Sequence, residues 1–182
     1  DAPAHSPVRE HHPEQRGGLT MEQHETSRAG GPDDSISPRY TGPLSLAQSL
    51  SAFALASGDS AQFTRDGPRA DVEYRDLGLA AATNGRIGIK HVRAIMPLPN
   101  ATGWHWHDMT AHFVFVLKGS LTFRFAGIDG DVVVAAGSGI SQPAGVAHNV
   151  VARSDDLELL EINVPAQYGT FDLAVPKDAA QP

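Results

Sequence analysis

The stretch GWHWHDMTAHFVFVLKG, residues 103–119, decides the fold. His105 and His107 are separated by a single residue in a segment of extended character, so strand alternation places both imidazoles on one face, the lumen side of a barrel. Trp104 and Trp106 alternate to the other face, where they pack between sheets or at an interface rather than meet a ligand. Residues 108–111 read as a tight connection that resets the alternation. His112 then opens a strand of bulky β-formers, residues 113–117, and is free to face inward as well; Gly119 closes that strand.

Further along, GSGISQPAGVAH, residues 137–148, carries Pro143, Gly145 and His148 in a turn that delivers one more histidine to the start of a late strand. Around these two stretches, strand-like runs occupy 72–77, 86–95, 103–107, 113–117, 121–125, 132–135, 146–152 and 157–164. Turn signals separate them: Pro97 with Pro99, Lys118-Gly119-Ser120, Gly127 with Asp129-Gly130, Gly137-Ser138-Gly139 and Ser154-Asp155-Asp156. Eight short strands at this spacing indicate an all-β closed barrel or jelly roll. No internal repeat is evident.

Residues 1–43 are rich in Pro, Gly, Ser, His and charge, with large apolar side chains only singly scattered, and read as a disordered arm. His5, His11, His12 and His24 lie in it as solvated tail histidines, and Met21 inside it is a candidate natural start. Residues 44–175 form the barrel domain and 176–182 a flexible tail. Leu44, Leu46, Ala47, Leu50, Phe53 and Leu55 keep near-helical spacing after a capping Ser45, so one short N-terminal helix is expected there.

The 182 residues suit one core and an appendage rather than two domains. A formal charge of -7 with no basic cluster argues against a nucleic-acid partner, which leaves a small-molecule substrate or a second copy of the chain. The absence of cysteine excludes disulfides, thiolate metal sites and thiol nucleophiles, so any metal must sit on His and carboxylate. No apolar run is long enough to span a membrane, and the N-terminus lacks the basic-then-apolar pattern of a secretory signal, so a cytoplasmic location is expected.

The two histidine-bearing stretches resemble the two motifs of the cupin superfamily. The first motif runs Gly, five residues, His-x-His, three or four residues, Glu, six residues, Gly; it is met by His105, His107 and Gly119, with Pro99 in place of the opening Gly and His112 in place of Glu. The second runs Gly, five residues, Pro-x-Gly, two residues, His, three residues, Asn; Gly137, Pro143, Gly145 and His148 fall in place, with Ala152 where Asn stands. The resemblance spans about residues 85–164. It implies a cupin jelly-roll β-barrel and a divalent metal held by His105, His107 and His148, with His112 either a fourth ligand or a hydrogen-bonding neighbour of a three-histidine site.

Without the acid, neutral imidazoles leave the metal at a formal +2 in a low-dielectric cavity, which favours an anionic chelating ligand. Related cupins with three-histidine iron sites cleave carbon–carbon bonds in β-diketones, hydroxyketones and aromatic compounds. The resemblance therefore implies an iron(II) dioxygenase acting on a small oxygenated organic substrate and dioxygen, with zinc, nickel or manganese as other metals the imidazoles suit. Two other readings are a metal-assisted isomerase, lyase or hydrolase, and a non-catalytic ligand-binding cupin. Glu161, on an otherwise apolar strand, is a candidate base; Gln142 and Arg93 are candidate hydrogen-bond donors to a bound oxygen; His91 reads as a core or surface histidine. Residues 113–117 and 157–164, apolar on both faces, point to a homodimer.

Overall fold

The computed structural model describes residues 42–58 and 62–176, and its compact unit begins at Pro43. The arm histidines, Met21 and the last six residues lie outside the described residues. Ten strands follow one another: β1 Val72–Asp76, β2 Gly88–Ala94, β3 His105–His107, β4 Ala111–Lys118, β5 Ser120–Phe125, β6 Val132–Ala135, β7 Gly139–Gln142, β8 His148–Arg153, β9 Glu158–Val164 and β10 Thr170–Asp172. They build two five-stranded antiparallel sheets, ordered β1-β2-β9-β4-β7 and β10-β3-β8-β5-β6. This is the expected all-β jelly roll.

Period-two alternation sorts each strand into an inner and an outer face. On β5, Leu121, Phe123 and Phe125 are buried while Thr122 and Arg124 are less so; on β4, His112, Val114 and Val116 are buried while Phe113 and Leu117 are exposed. The inner faces meet in one core, with Val72, Val92, Val114, Val116 and Leu159 from the first sheet against Leu121, Phe123, Phe125 and Val134 from the second. Gly119 turns β4 into β5 at φ +73, where a Cβ would collide with Ser154 Oγ and sit 3.2 Å from Leu157 Cα. The glycine of the first motif is thus required both by its left-handed backbone and by close packing.

A buried ion pair clamps the same end of the barrel. Asp71, just before β1, accepts from Arg153 Nη2 at 2.8 Å and from Arg69 Nη2 at 2.9 Å, while Arg153 also reaches the Met96 carbonyl at 2.7 Å. Burial alone would raise the Asp71 carboxyl, but the two guanidinium partners outweigh it and hold it below the usual carboxylate range.

Three elements differ from the sequence reading. Residues 44–55 form only one 3-10 turn, Leu46–Gln48, capped reciprocally by Ser45 and Gln48; beyond it Phe53 and Leu55 stand 81% exposed. A short helix gains its stability from burying an apolar face; here Leu46 stays 79% and Leu50 49% exposed, and serine side chains such as Ser49 compete for the backbone. The α-helix of the domain is instead α1, Leu79–Ala82, capped by Gly78 in the left-handed region. Strands β7 and β10 were not expected, being four and three residues long with weak patterning. Among the described residues no helix is long and apolar enough to cross a membrane.

Candidate metal centre

Three histidines from two neighbouring strands converge at one end of the interior. His105 and His107 lie on β3, and His148, the first residue of β8, is paired in register with His105. The turn ahead of β8 passes through Gly145 at φ +71, which sets His148 at the strand entrance. One nitrogen from each of the three lies within 4.8 Å of the others. Ring centroids are 5.1 Å apart for His105 and His107, 4.5 Å for His105 and His148, and 5.2 Å for His107 and His148. Bonds of about 2.1 Å from one ion to three imidazoles close this spacing with small side-chain rotations.

The outward nitrogens are all anchored. His105 Nδ1–H donates to the Gly103 carbonyl at 2.9 Å and His148 Nδ1–H to the Val146 carbonyl at 3.1 Å, while His107 Nδ1 is hydrogen-bonded to Thr170 Oγ1 at 2.9 Å. A carbonyl can only accept, so His105 and His148 are fixed in the tautomer that leaves the Nε2 lone pair inward. That is the orientation in which imidazoles bind metals, with the other ring nitrogen tied to a backbone or side-chain acceptor. Burial, then the neighbouring histidines, pushes His107 down to about 4; burial does most of the same for His148, also to about 4. Both rings are therefore neutral at neutral pH. The donor set fits a divalent ion.

His112 stands beside these three but in a different state. Its ring centroid is 5.6 Å from that of His107 and 6.4 Å from that of His148, and its Nε2 lies 3.0 Å from Glu161 Oε1. Across the sheet, Asn163, His112 and Gln142 occupy one row, and Lys90, Glu161 and Val114 the next. Burial by itself raises the Glu161 carboxyl; the hydrogen bond from His112 and the charge of Lys90 outweigh it and keep the group below its ordinary value. Gln142 Nε2 is 3.5 Å from the same His112 nitrogen, at the limit of a hydrogen bond. Gln142 Oε1 and both side-chain atoms of the fully buried Asn163 have no protein partner, so this row keeps hydrogen-bonding capacity in reserve.

Of the residues singled out in the sequence, the structure thus gathers His105, His107, His112, His148, Glu161 and Gln142 at one end of the barrel interior. It does not bring Arg93 there. Val92 points inward, so Arg93 alternates to the outer face of β2, where its guanidinium pairs with Glu73 and lies 3.8 Å from the Phe63 ring centroid. His91 pairs with Glu158 at 3.1 Å and also meets Phe63. Trp106 stacks on Phe171 at 4.6 Å, away from the histidines, as alternation requires. Three contributors escaped the sequence reading: Thr170, the anchor of His107; Tyr168, whose ring lies 5.2 Å from that of His107; and Asn163. Burial, then the charge of Glu161, raises the Tyr168 hydroxyl well above its usual range, so it stays a neutral hydrogen-bond donor. Asn163 alone carried a usable signal, lying two residues beyond Glu161 and so on the same face.

Two facing antiparallel sheets with three imidazole lone pairs converging between them define a metal-binding β-barrel protein. Residues 93–163 match the family model described as Cupin domain. Among solved structures the chain is similar to the polyketide cyclase RemF from Streptomyces resistomycificus, at TM-score 0.53 and 18% identity over 69% of this chain and 89% of that one. It is also similar to KdgF from Halomonas sp., at TM-score 0.50 and 14% identity over 63% of this chain and 96% of that one. At such identities the likeness speaks for the fold. No curated protein matches the chain by sequence.

Proposed function

We propose that this chain is a metal-dependent enzyme acting on a small oxygenated organic substrate, with iron(II)-dependent dioxygenation of a β-diketone, hydroxyketone or catechol-like compound as the leading reaction. The observation that supports it is the set of three outward-anchored histidines with no carboxylate among them. A divalent ion held by His105, His107 and His148 supplies a Lewis acid of undiminished charge with open positions and, as ferrous iron, the means to use dioxygen. The chain's own residues then select the substrate. Uncompensated positive charge favours a ligand that binds as an enolate or catecholate, Tyr168 and Gln142 offer hydrogen bonds to its oxygens, and the apolar side chains Phe123 and Phe125 beside His148 limit water.

A second reading, metal-assisted isomerisation, elimination or hydrolysis, is favoured by a specific pair, Glu161 and His112, which together can hold or move a proton beside the three histidines. The two readings separate on oxygen. Protein loaded anaerobically with ferrous ion is expected to bind about one iron per chain and to consume oxygen with a panel of diketones, hydroxyketones and catechols. Turnover without oxygen uptake moves the assignment to the proton-transfer reading, and absence of metal binding removes both. We also propose a homodimer covering the outer face of β4, where Phe113 and Leu117 are 37% and 43% exposed; a solution mass near 19.3 kDa overturns it.

A further inference from the structure

The four histidines at the polar end of the barrel interior are not equivalent, and the difference lies in which nitrogen each one has free. His105, His107 and His148 use Nδ1 for their anchors and keep Nε2 available. His112 has the opposite arrangement: its Nε2 is the atom engaged, at 3.0 Å from Glu161 Oε1. A carboxylate oxygen at this distance from a ring nitrogen accepts from its N–H, so the proton between them sits on His112 Nε2. A nitrogen that carries a proton has no lone pair for a metal.

The backbone enforces this arrangement. Glu161 is in register with Val114 and His112 with Asn163, so the two side chains rise from adjacent rows on the same inner face. His112 is 8% exposed and Glu161 18%, which protects their charge-assisted hydrogen bond from competing water. Gln142 Nε2 lies 3.5 Å away on the other flank of His112 and, being itself a donor, cannot bond to a nitrogen that carries the proton.

We propose that Glu161 is a positioning residue that holds His112 off the metal, fixing the centre at three imidazoles and keeping the fourth coordination position open for the substrate. The inference rests on the metal-binding reading above and goes beyond it, since the position that carries a ligating acid in the motif is here occupied by a side chain with its own carboxylate partner. Removing the carboxylate frees Nε2 and turns a three-histidine centre into a four-histidine one.

The test is a count of imidazoles on copper(II)-loaded full-length protein by pulsed electron paramagnetic resonance, with copper stoichiometry measured in parallel. Wild type and Glu161→Gln, whose amide oxygen still accepts from Nε2–H, are expected to show three; Glu161→Leu is expected to show four and to bind copper more tightly. His112→Ala, which depends on no change at position 161, is expected to keep one copper per chain with the count still three. Four imidazoles in wild type, a fall in the count in His112→Ala, or three in a folded Glu161→Leu overturns the proposal. Those results leave the metal reading intact as long as copper stays at one per chain. Wild type that takes up no copper overturns the metal reading and this proposal together.

Discussion

The two ends of the barrel interior are built by the same strands and behave as different materials. Along the inner face of β4 the order is Val116, Val114, His112; along that of β9 it is Leu159, Glu161, Asn163. At one end these residues close against Leu121, Phe123, Val134 and Leu157 in an apolar core, fastened by the Asp71–Arg153 pair. At the other, four histidines, a carboxylate and two amides share a less fully buried space, with His105, His107 and Glu161 only half-buried. Alternation decides only which face a side chain takes; distance along the strand decides which end it serves. Since the backbone ladder satisfies the strand amides at both ends alike, the polar end can carry side-chain chemistry while the apolar end carries most of the stability.

That division can be broken experimentally, and the largest effect is expected at the polar end. His148→Ala removes one of the three proposed ligands. Losing merely an outer-shell anchor costs about 10- to 100-fold in metal affinity, so loss of His148 itself should exceed 100-fold, read by equilibrium dialysis. The unfolding midpoint of the metal-free protein should shift little. Val116→Ala should do the reverse. Removing two buried carbons and leaving a cavity costs about 2–3 kcal/mol of unfolding free energy by urea titration, with metal stoichiometry unchanged. A Val116→Ala protein that loses its metal as completely as His148→Ala would show that the ends are coupled and undo the comparison.

The smallest effect is set by pH. His107 and His148 are held down to about 4 by burial, below the ordinary 6.5. The unfolded chain therefore takes up protons first as pH falls, so metal-free stability is level above about pH 7, declines between about 6.5 and 4, and levels again below. Urea midpoints across this range check it. His148→Ala should flatten the decline, and an unaltered slope would show that burial does not set the histidine's proton affinity.

The fold was legible because its signals are local and repeated. The β-forming run at 113–117, the alternation of 121–125 and the glycines at 119, 137 and 145 each mark a strand or a turn without reference to the rest of the chain. His105, His107 and His148 were legible for the same reason, through the two motifs. What the sequence hid depends on tertiary contact. The spacing of Leu44, Leu46, Leu50 and Phe53 satisfies a helix, yet all four stay exposed. Arg93 looked like a donor to the site until Val92 fixed the face of β2 on which it stands. Thr170 and Tyr168 follow β9 through a connection with no strong pattern, so no periodicity could connect them to His107. The sequence left two states open for His112; the geometry shows it bonded to Glu161.

The three anchors differ in what a mutation can reach. Two of them, the carbonyls of Gly103 and Val146, are main-chain atoms that no single codon change can delete; only Thr170 holds its histidine through a side chain. Two of the proposed ligands are therefore insured against sequence drift and the third is not. Position 170 is where descent or design can retune this centre in small steps without dismantling it.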